Sequence, residues 1–122
     1  MSLRVLAIDD SRTMRSMLEH TLKAAGFEVH LAEDGQDGLN KLAEVHPDAV
    51  ITDINMPVMD GFGFIEGARE QRQFRGVPIL VLTTESAAEL KVRARDAGAT
   101  GWIVKPFHED KLVAALERVT AR

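Results

Sequence analysis

Four short clusters hold the residues that could do chemistry together: Asp9-Asp10, Asp53, Thr83-Thr84 and Lys105-Pro106. Each closely follows an apolar run (Val5 to Ile8, Ala49 to Ile51, Val77 to Leu82, Trp102 to Val104), so each falls at the carboxyl end of an expected strand. In open α/β sheets ligands bind beyond the carboxyl ends of the strands, which sends all four clusters to one rim. Carboxylates crowded there repel and destabilise the fold unless a cation intervenes. Mg2+ suits the set, because it prefers oxygen ligands and takes one or two carboxylates together with phosphate oxygens. Lys105 adds a point charge for a phosphoryl oxygen, and the Thr83 hydroxyl can donate to another. A carboxylate can itself be the nucleophile and form an aspartyl phosphate. This set of parts fits phosphoryl transfer. Taken singly, each has a duller explanation: Asp9-Asp10 as a solvated turn, Asp53 as a cap, Thr83 as strand propensity, Lys105 as a surface charge. Those explanations do not account for their joint placement at four strand ends.

The elements that must position these clusters alternate between two periodicities. Continuous apolar runs read as strands covered on both faces, and Phe27 to Leu31 alternates like a half-exposed strand at a sheet edge. Between them lie helical stripes. Met14, Met17, Leu18, Thr21, Leu22 and Ala25 form the first, stopped at Gly26. Asp34 caps a helix carrying Leu39, Leu42 and Ala43 inward, and Phe64, Ile65 and Ala68 follow the turn at Asp60-Gly61. Leu90, Ala94 and Ala97 mark a fourth helix ended by Gly98, and Leu112, Val113, Leu116 and Val119 line the last. Strand and helix alternate five times, which predicts a parallel sheet with right-handed crossovers and helices on both faces.

Composition narrows the classes further. The chain has 122 residues, enough for one domain (1–122), and a 45% hydrophobic content allows a packed core. A formal net charge of −4 argues against nucleic-acid binding. With no cysteine, disulfides, Fe–S clusters and thiolate zinc sites are excluded. The apolar runs are too short to span a bilayer and no signal peptide precedes the first strand, so a cytoplasmic location without a membrane partner is expected.

The chain resembles the response-regulator receiver family from end to end. The resemblance rests on Asp9-Asp10-Ser11, the segment Asp53-Ile54-Asn55-Met56-Pro57-Val58-Met59-Asp60-Gly61, Thr83-Thr84, Ala97-Gly98-Ala99 and Lys105-Pro106-Phe107. It implies a flavodoxin-like, doubly wound five-stranded parallel sheet. The edge-like second strand agrees with the order 2-1-3-4-5, known for flavodoxin and the chemotaxis receiver. It further implies that Asp53 accepts a phosphoryl group from a sensor histidine kinase, small acyl phosphates being able to substitute. Asp10, Asp53 and the backbone carbonyl of Asn55 would coordinate Mg2+, with Asp9 acting through water. Lys105 and Thr83 would contact the phosphoryl oxygens. The Lys105-Pro106 bond is expected to be cis.

The family also implies a switch, in which Thr83 moves toward the phosphoryl group and the aromatic three residues before Lys105 turns inward. That residue is Trp102, a departure from the family's usual Tyr or Phe; otherwise it would simply be an anchor on an edge strand. The output surface would be the fourth helix, last strand and last helix, with Lys91, Arg95, Trp102 and Lys111 as exposed contacts. Asn55 and Glu85, two residues beyond Asp53 and Thr83, would tune phosphate lifetime. Among compact receivers this combination looks most like chemotaxis regulators that bind the flagellar motor switch. The expected protein is thus a monomeric signalling module that catalyses only its own phosphorylation and dephosphorylation, with no output domain after the last helix. The competing readings are a phosphate sink or phosphorelay intermediate, a receiver cut from a longer regulator, and, from another class, an aspartyl-phosphate phosphatase. Phosphatases of that kind place a general acid two residues after the nucleophile, where this chain has Asn55.

Several motifs are set aside. The Gly61, Gly63 and Gly67 spacing is one residue too long for a dinucleotide loop and follows a loop rather than a strand. His20, His30, His46 and His108 show no metal-ligand spacing and read as exposed or capping residues. The methionines of the first helix read as core filler.

Overall fold

The computed structural model describes residues 2–121; Met1 and Arg122, part of the expected 1–122 domain, lie outside the described residues. The elements are β1 (Arg4–Ile8), α1 (Arg12–Ala24), β2 (Glu28–Ala32), α2 (Gly35–Val45), β3 (Ala49–Thr52), α3 (Gly61–Glu70), β4 (Ile79–Thr83), α4 (Ala88–Ala97), β5 (Gly101–Val104) and α5 (Glu109–Thr120). A single 3-10 turn, Arg72–Phe74, follows α3. All strand pairs are parallel, and the order is β2-β1-β3-β4-β5. The three central strands are buried throughout except for Arg4, which explains their uninterrupted apolar sequences. β2 is only partly covered, as an edge strand should be.

Each face of the sheet has its own core. Leu6, Ile8, Val50 and Val81 face Leu42 of α2, Phe64 and Ile65 of α3 and Ala94 of α4. Val5, Ala7, Ile51 and Leu82 face Leu18 and Leu22 of α1 and Leu112 and Leu116 of α5. Helix starts are fixed locally: Ser11 Oγ accepts from Met14 N at 3.2 Å, Asp34 Oδ1 from Asp37 N at 2.8 Å and Asp60 Oδ1 from Gly63 N at 2.8 Å. α4 and α5 lack such side-chain caps, since Ala87 and His108 hold their first turns. Gly98 closes α4 at φ 117°, left-handed backbone that favours glycine.

Some expected inward positions face water. Met17 is 49% exposed, so it is not core filler, and Ala43 is exposed as well. Each lies about 100° round its helix from the nearest buried leucine, at the margin of the apolar stripe. Ala25 is exposed because α1 ends at Ala24 and Ala25 is already the cap. Val77 and Pro78 precede β4, although the Pro78 carbonyl still accepts from Val50 N at 2.9 Å. Among the described residues no helix is long and apolar enough to cross a membrane.

Candidate functional site

The carboxyl ends of β1, β3 and β5 bring Asp9, Asp10, Asp53 and Lys105 into one acidic pocket. Ligand oxygens from the three carboxylates lie within 4.8 Å of one another. Lys105 Nζ donates to Asp9 Oδ2 at 2.8 Å and to Asp53 Oδ2 at 2.9 Å, ion pairs whose side chains are 10%, 2% and 11% exposed respectively. The peptide bond that follows, Lys105-Pro106, is cis. Burial by itself would lower the Lys105 pKa. The hydrogen bonds and charges of Asp9 and Asp53 more than offset this and hold it above the usual lysine value.

The remaining oxygens are held by the backbone of the loops themselves. Ser11 N donates to Asp9 Oδ1 at 2.9 Å, and Ile54 N donates to Asp53 Oδ1 at 2.6 Å. Arg15, one turn into α1, adds a bond from Nη1 to the Asp9 carbonyl at 2.7 Å. Asp10 is exposed, and among the described residues no donor is bonded to its carboxylate. Three carboxylates against one ammonium leave an excess of two negative charges, which one divalent cation would balance. An all-oxygen donor set of this kind fits Mg2+ and excludes the softer thiolate-seeking metals.

The expected neighbours of this pocket fall into two groups. Thr83, at the end of β4, is fully buried, and its Oγ1 accepts from Glu85 N at 3.4 Å; Thr84 is exposed. Asn55 and Glu85 meet directly, Asn55 Nδ2 donating to Glu85 Oε1 at 3.0 Å. Trp102 departs from expectation. It is half-buried rather than an exposed contact, packs against the core beneath α3 and α4, and donates its indole N–H to the Glu85 carbonyl at 3.0 Å. Glu85 therefore joins the pocket's rim to Trp102 through its side chain on one side and its backbone on the other. Lys91, Arg95 and Lys111 are exposed, as expected, with Arg95 forming only a surface pair with Asp96 at 3.5 Å.

Two features have no counterpart in the sequence reading. Lys105 bridges Asp9 and Asp53 directly, which spacing along the chain cannot reveal, since the partners are 96 and 52 residues away. Val58, in the β3–α3 loop, has a positive φ of 69° in a turn closed by Met59 N donating to the Pro57 carbonyl at 2.7 Å. Only turn residues such as Asn, Asp and Gly advertise that conformation in a sequence.

Residues 5–117 match the model of the response regulator receiver domain. The chain belongs to that family. Among solved structures, the receiver is 47% identical to the Vibrio cholerae chemotaxis protein CheY4, with a TM-score of 0.93, covering 98% of this chain and 99% of that one. Among curated proteins it is 39% identical over 119 residues to the transcriptional regulatory protein PrrA of Mycobacterium tuberculosis, covering 98% of this chain and 50% of PrrA. It is 37% identical over 126 residues to the response regulator MprA of the same species, covering 52% of that protein. The receiver thus spans about half the length of the curated relatives it matches.

Proposed function

We propose that this receiver takes a phosphoryl group onto Asp53 from a sensor histidine kinase and thereby changes its affinity for a protein partner. The observation that carries this is Lys105 Nζ lying between Asp9 and Asp53 in a pocket whose three carboxylates exceed its one ammonium by two charges. Asp10, Asp53 and the Asn55 carbonyl would hold Mg2+, with Asp9 acting through water. Bound there, Mg2+ supplies charge neutralisation of the phosphoryl oxygens. An Asp53 oxygen attacks phosphorus in line as the bond to the donor's histidine nitrogen or acyl oxygen breaks. Lys105 shifts from the carboxylates to a phosphoryl oxygen and Thr83 donates to another. The Ile54 N–H keeps the acceptor carboxylate in place while this happens. The protein turns over no external substrate; it catalyses only its own phosphorylation and the hydrolysis that reverses it.

The signal leaves through Thr83, the β4–α4 loop and Trp102 to the exposed face of α4, β5 and α5, where Lys91, Arg95 and Lys111 present charge to a partner. Similarity to CheY4 over nearly the whole length of both chains supports a chemotaxis output at the flagellar motor switch. The relatives PrrA and MprA support a second reading, in which the same receiver works within a longer regulator of transcription.

Binding to the host's motor-switch N-terminal segment, with and without Mg2+ and beryllofluoride, separates the two. Clearly tighter binding in the activated state supports the chemotaxis output. Equal or absent binding, in protein whose Trp102 emission has responded to activation, removes the motor output and leaves the longer regulator, or a phosphate sink or relay, in its place. For the phosphoryl step itself, label from a phosphorylated kinase should pass to wild type and not to Asp53→Asn. Equal labelling of both would remove Asp53 from the reaction.

A further inference from the structure

Asp53 stands one residue past the end of β3, where ladder pairing has stopped at Thr52. Its carbonyl nevertheless has a donor. Thr52 is fully buried, and its Oγ1 donates to the Asp53 carbonyl oxygen at 2.8 Å. The other end of that same peptide group is the Ile54 N–H, which donates to Asp53 Oδ1 at 2.6 Å. A peptide unit is rigid and planar, so whatever fixes its C=O also fixes its N–H. A donor on the C=O further polarises the unit and strengthens the N–H as a donor. The segment has little room to relax: Gly61 N donates to the Ile54 carbonyl at 2.8 Å, and a Cβ at Gly61 would collide with the Asp53 carbonyl oxygen.

We propose that the Thr52 hydroxyl is a positioning residue for the phosphoryl acceptor, holding the Asp53–Ile54 peptide so that its N–H fixes one carboxylate oxygen and leaves the other facing Lys105. The inference rests on Asp53 being the acceptor, as argued above. Without the hydroxyl the Ile54 N–H is a weaker donor to Asp53 Oδ1, the carboxylate samples orientations that cannot attack in line, and phosphorylation slows although Asp53, Lys105 and the metal ligands are unchanged.

Two substitutions separate this role from packing. Thr52→Val keeps the shape and loses the donor; Thr52→Ser keeps the donor and loses a buried methyl. Positioning predicts that Val slows Asp53 phosphorylation by acetyl phosphate roughly three- to tenfold, the worth of one net hydrogen bond, and that Ser stays near wild type. A packing role predicts the reverse order, with Ser the damaged variant. The second readout is the Ile54 amide proton shift in metal-free protein, which should move upfield in Thr52→Val and hold in Thr52→Ser. Unchanged kinetics and an unchanged Ile54 shift in Thr52→Val would overturn the proposal. Failure of wild type to take up a phosphoryl group would instead sink the acceptor reading, and the Ile54 shift would still decide whether the hydroxyl orders that peptide.

Discussion

Val58 offers a change in stability that can be worked out before it is measured. Its φ of 69° lies at the centre of a tight turn closed by Met59 N donating to the Pro57 carbonyl at 2.7 Å, a strained conformation that costs an L-residue about 1–2 kcal/mol and that a β-branched side chain does not escape. The side chain is 82% exposed, so it recovers little by burial and its removal forfeits little. Asparagine accepts positive φ more readily than a β-branched residue, so Val58→Asn should stabilise the receiver by about 1 kcal/mol. For a domain of this length the unfolding entropy is on the order of 0.25 kcal/mol per kelvin, which makes the expected rise in Tm about 4 °C. Val58→Gly relieves the same strain but adds freedom to the unfolded chain, worth ~0.5–1 kcal/mol, so it should gain less. The assay is thermal unfolding by circular dichroism, paired with urea unfolding to check that the m-value is unchanged. A Tm for Val58→Asn that stays put or falls would refute the reasoning.

Other expectations concern the pocket and its rim. Lys105→Met should destabilise the metal-free protein by about 3 kcal/mol, because it leaves Asp9 buried without its cation, and should tighten Mg2+ binding roughly tenfold or more. A Mg2+ titration of Tm that is the same in both proteins would contradict this. Since folding raises the Lys105 pKa, its stabilisation is complete below the unfolded value of about 10.4 and fades as pH climbs through the higher folded value. The urea-midpoint gap between wild type and Lys105→Met should therefore narrow above that pH; a gap constant up to the onset of alkaline unfolding would count against it. Because Asn55 donates to Glu85, Asn55→Ala and Glu85→Ala should alter phosphate lifetime more than its formation rate, and non-additively in the double variant. Lifetimes equal to wild type in both would remove that role. Trp102, the one tryptophan, should change its emission on addition of Mg2+ and beryllofluoride; an unchanged spectrum with binding shown independently would take Trp102 out of the switch.

Much of this arrangement is legible in the sequence. Alternating apolar runs and helical stripes gave the five βα units, and Asp34 and Asp60 stood where caps belong. The four clusters fell at strand ends because strand length is set by burial, which an apolar run displays directly. What escaped depends on loop geometry and on which neighbour comes nearest in space. The bridge of Lys105 across Asp9 and Asp53 joins three strands, and the half-burial of Trp102 follows from a β4–α4 loop that offers it the Glu85 carbonyl. Met17 and Ala43 sit at the margins of their helices' apolar stripes, which periodicity marks less sharply than the stripes themselves. Thr52 reads as an ordinary strand residue, and only the end of the ladder gives its hydroxyl a carbonyl to hold.

The most direct test of the central claim is the mass of the intact receiver after incubation with acetyl phosphate, with and without Mg2+, followed by borohydride reduction and peptide mapping. A single phosphoryl adduct that requires Mg2+ and leaves reduced residue 53 in the mapped peptide is the predicted result. No adduct, or an adduct that persists in Asp53→Asn, would contradict it.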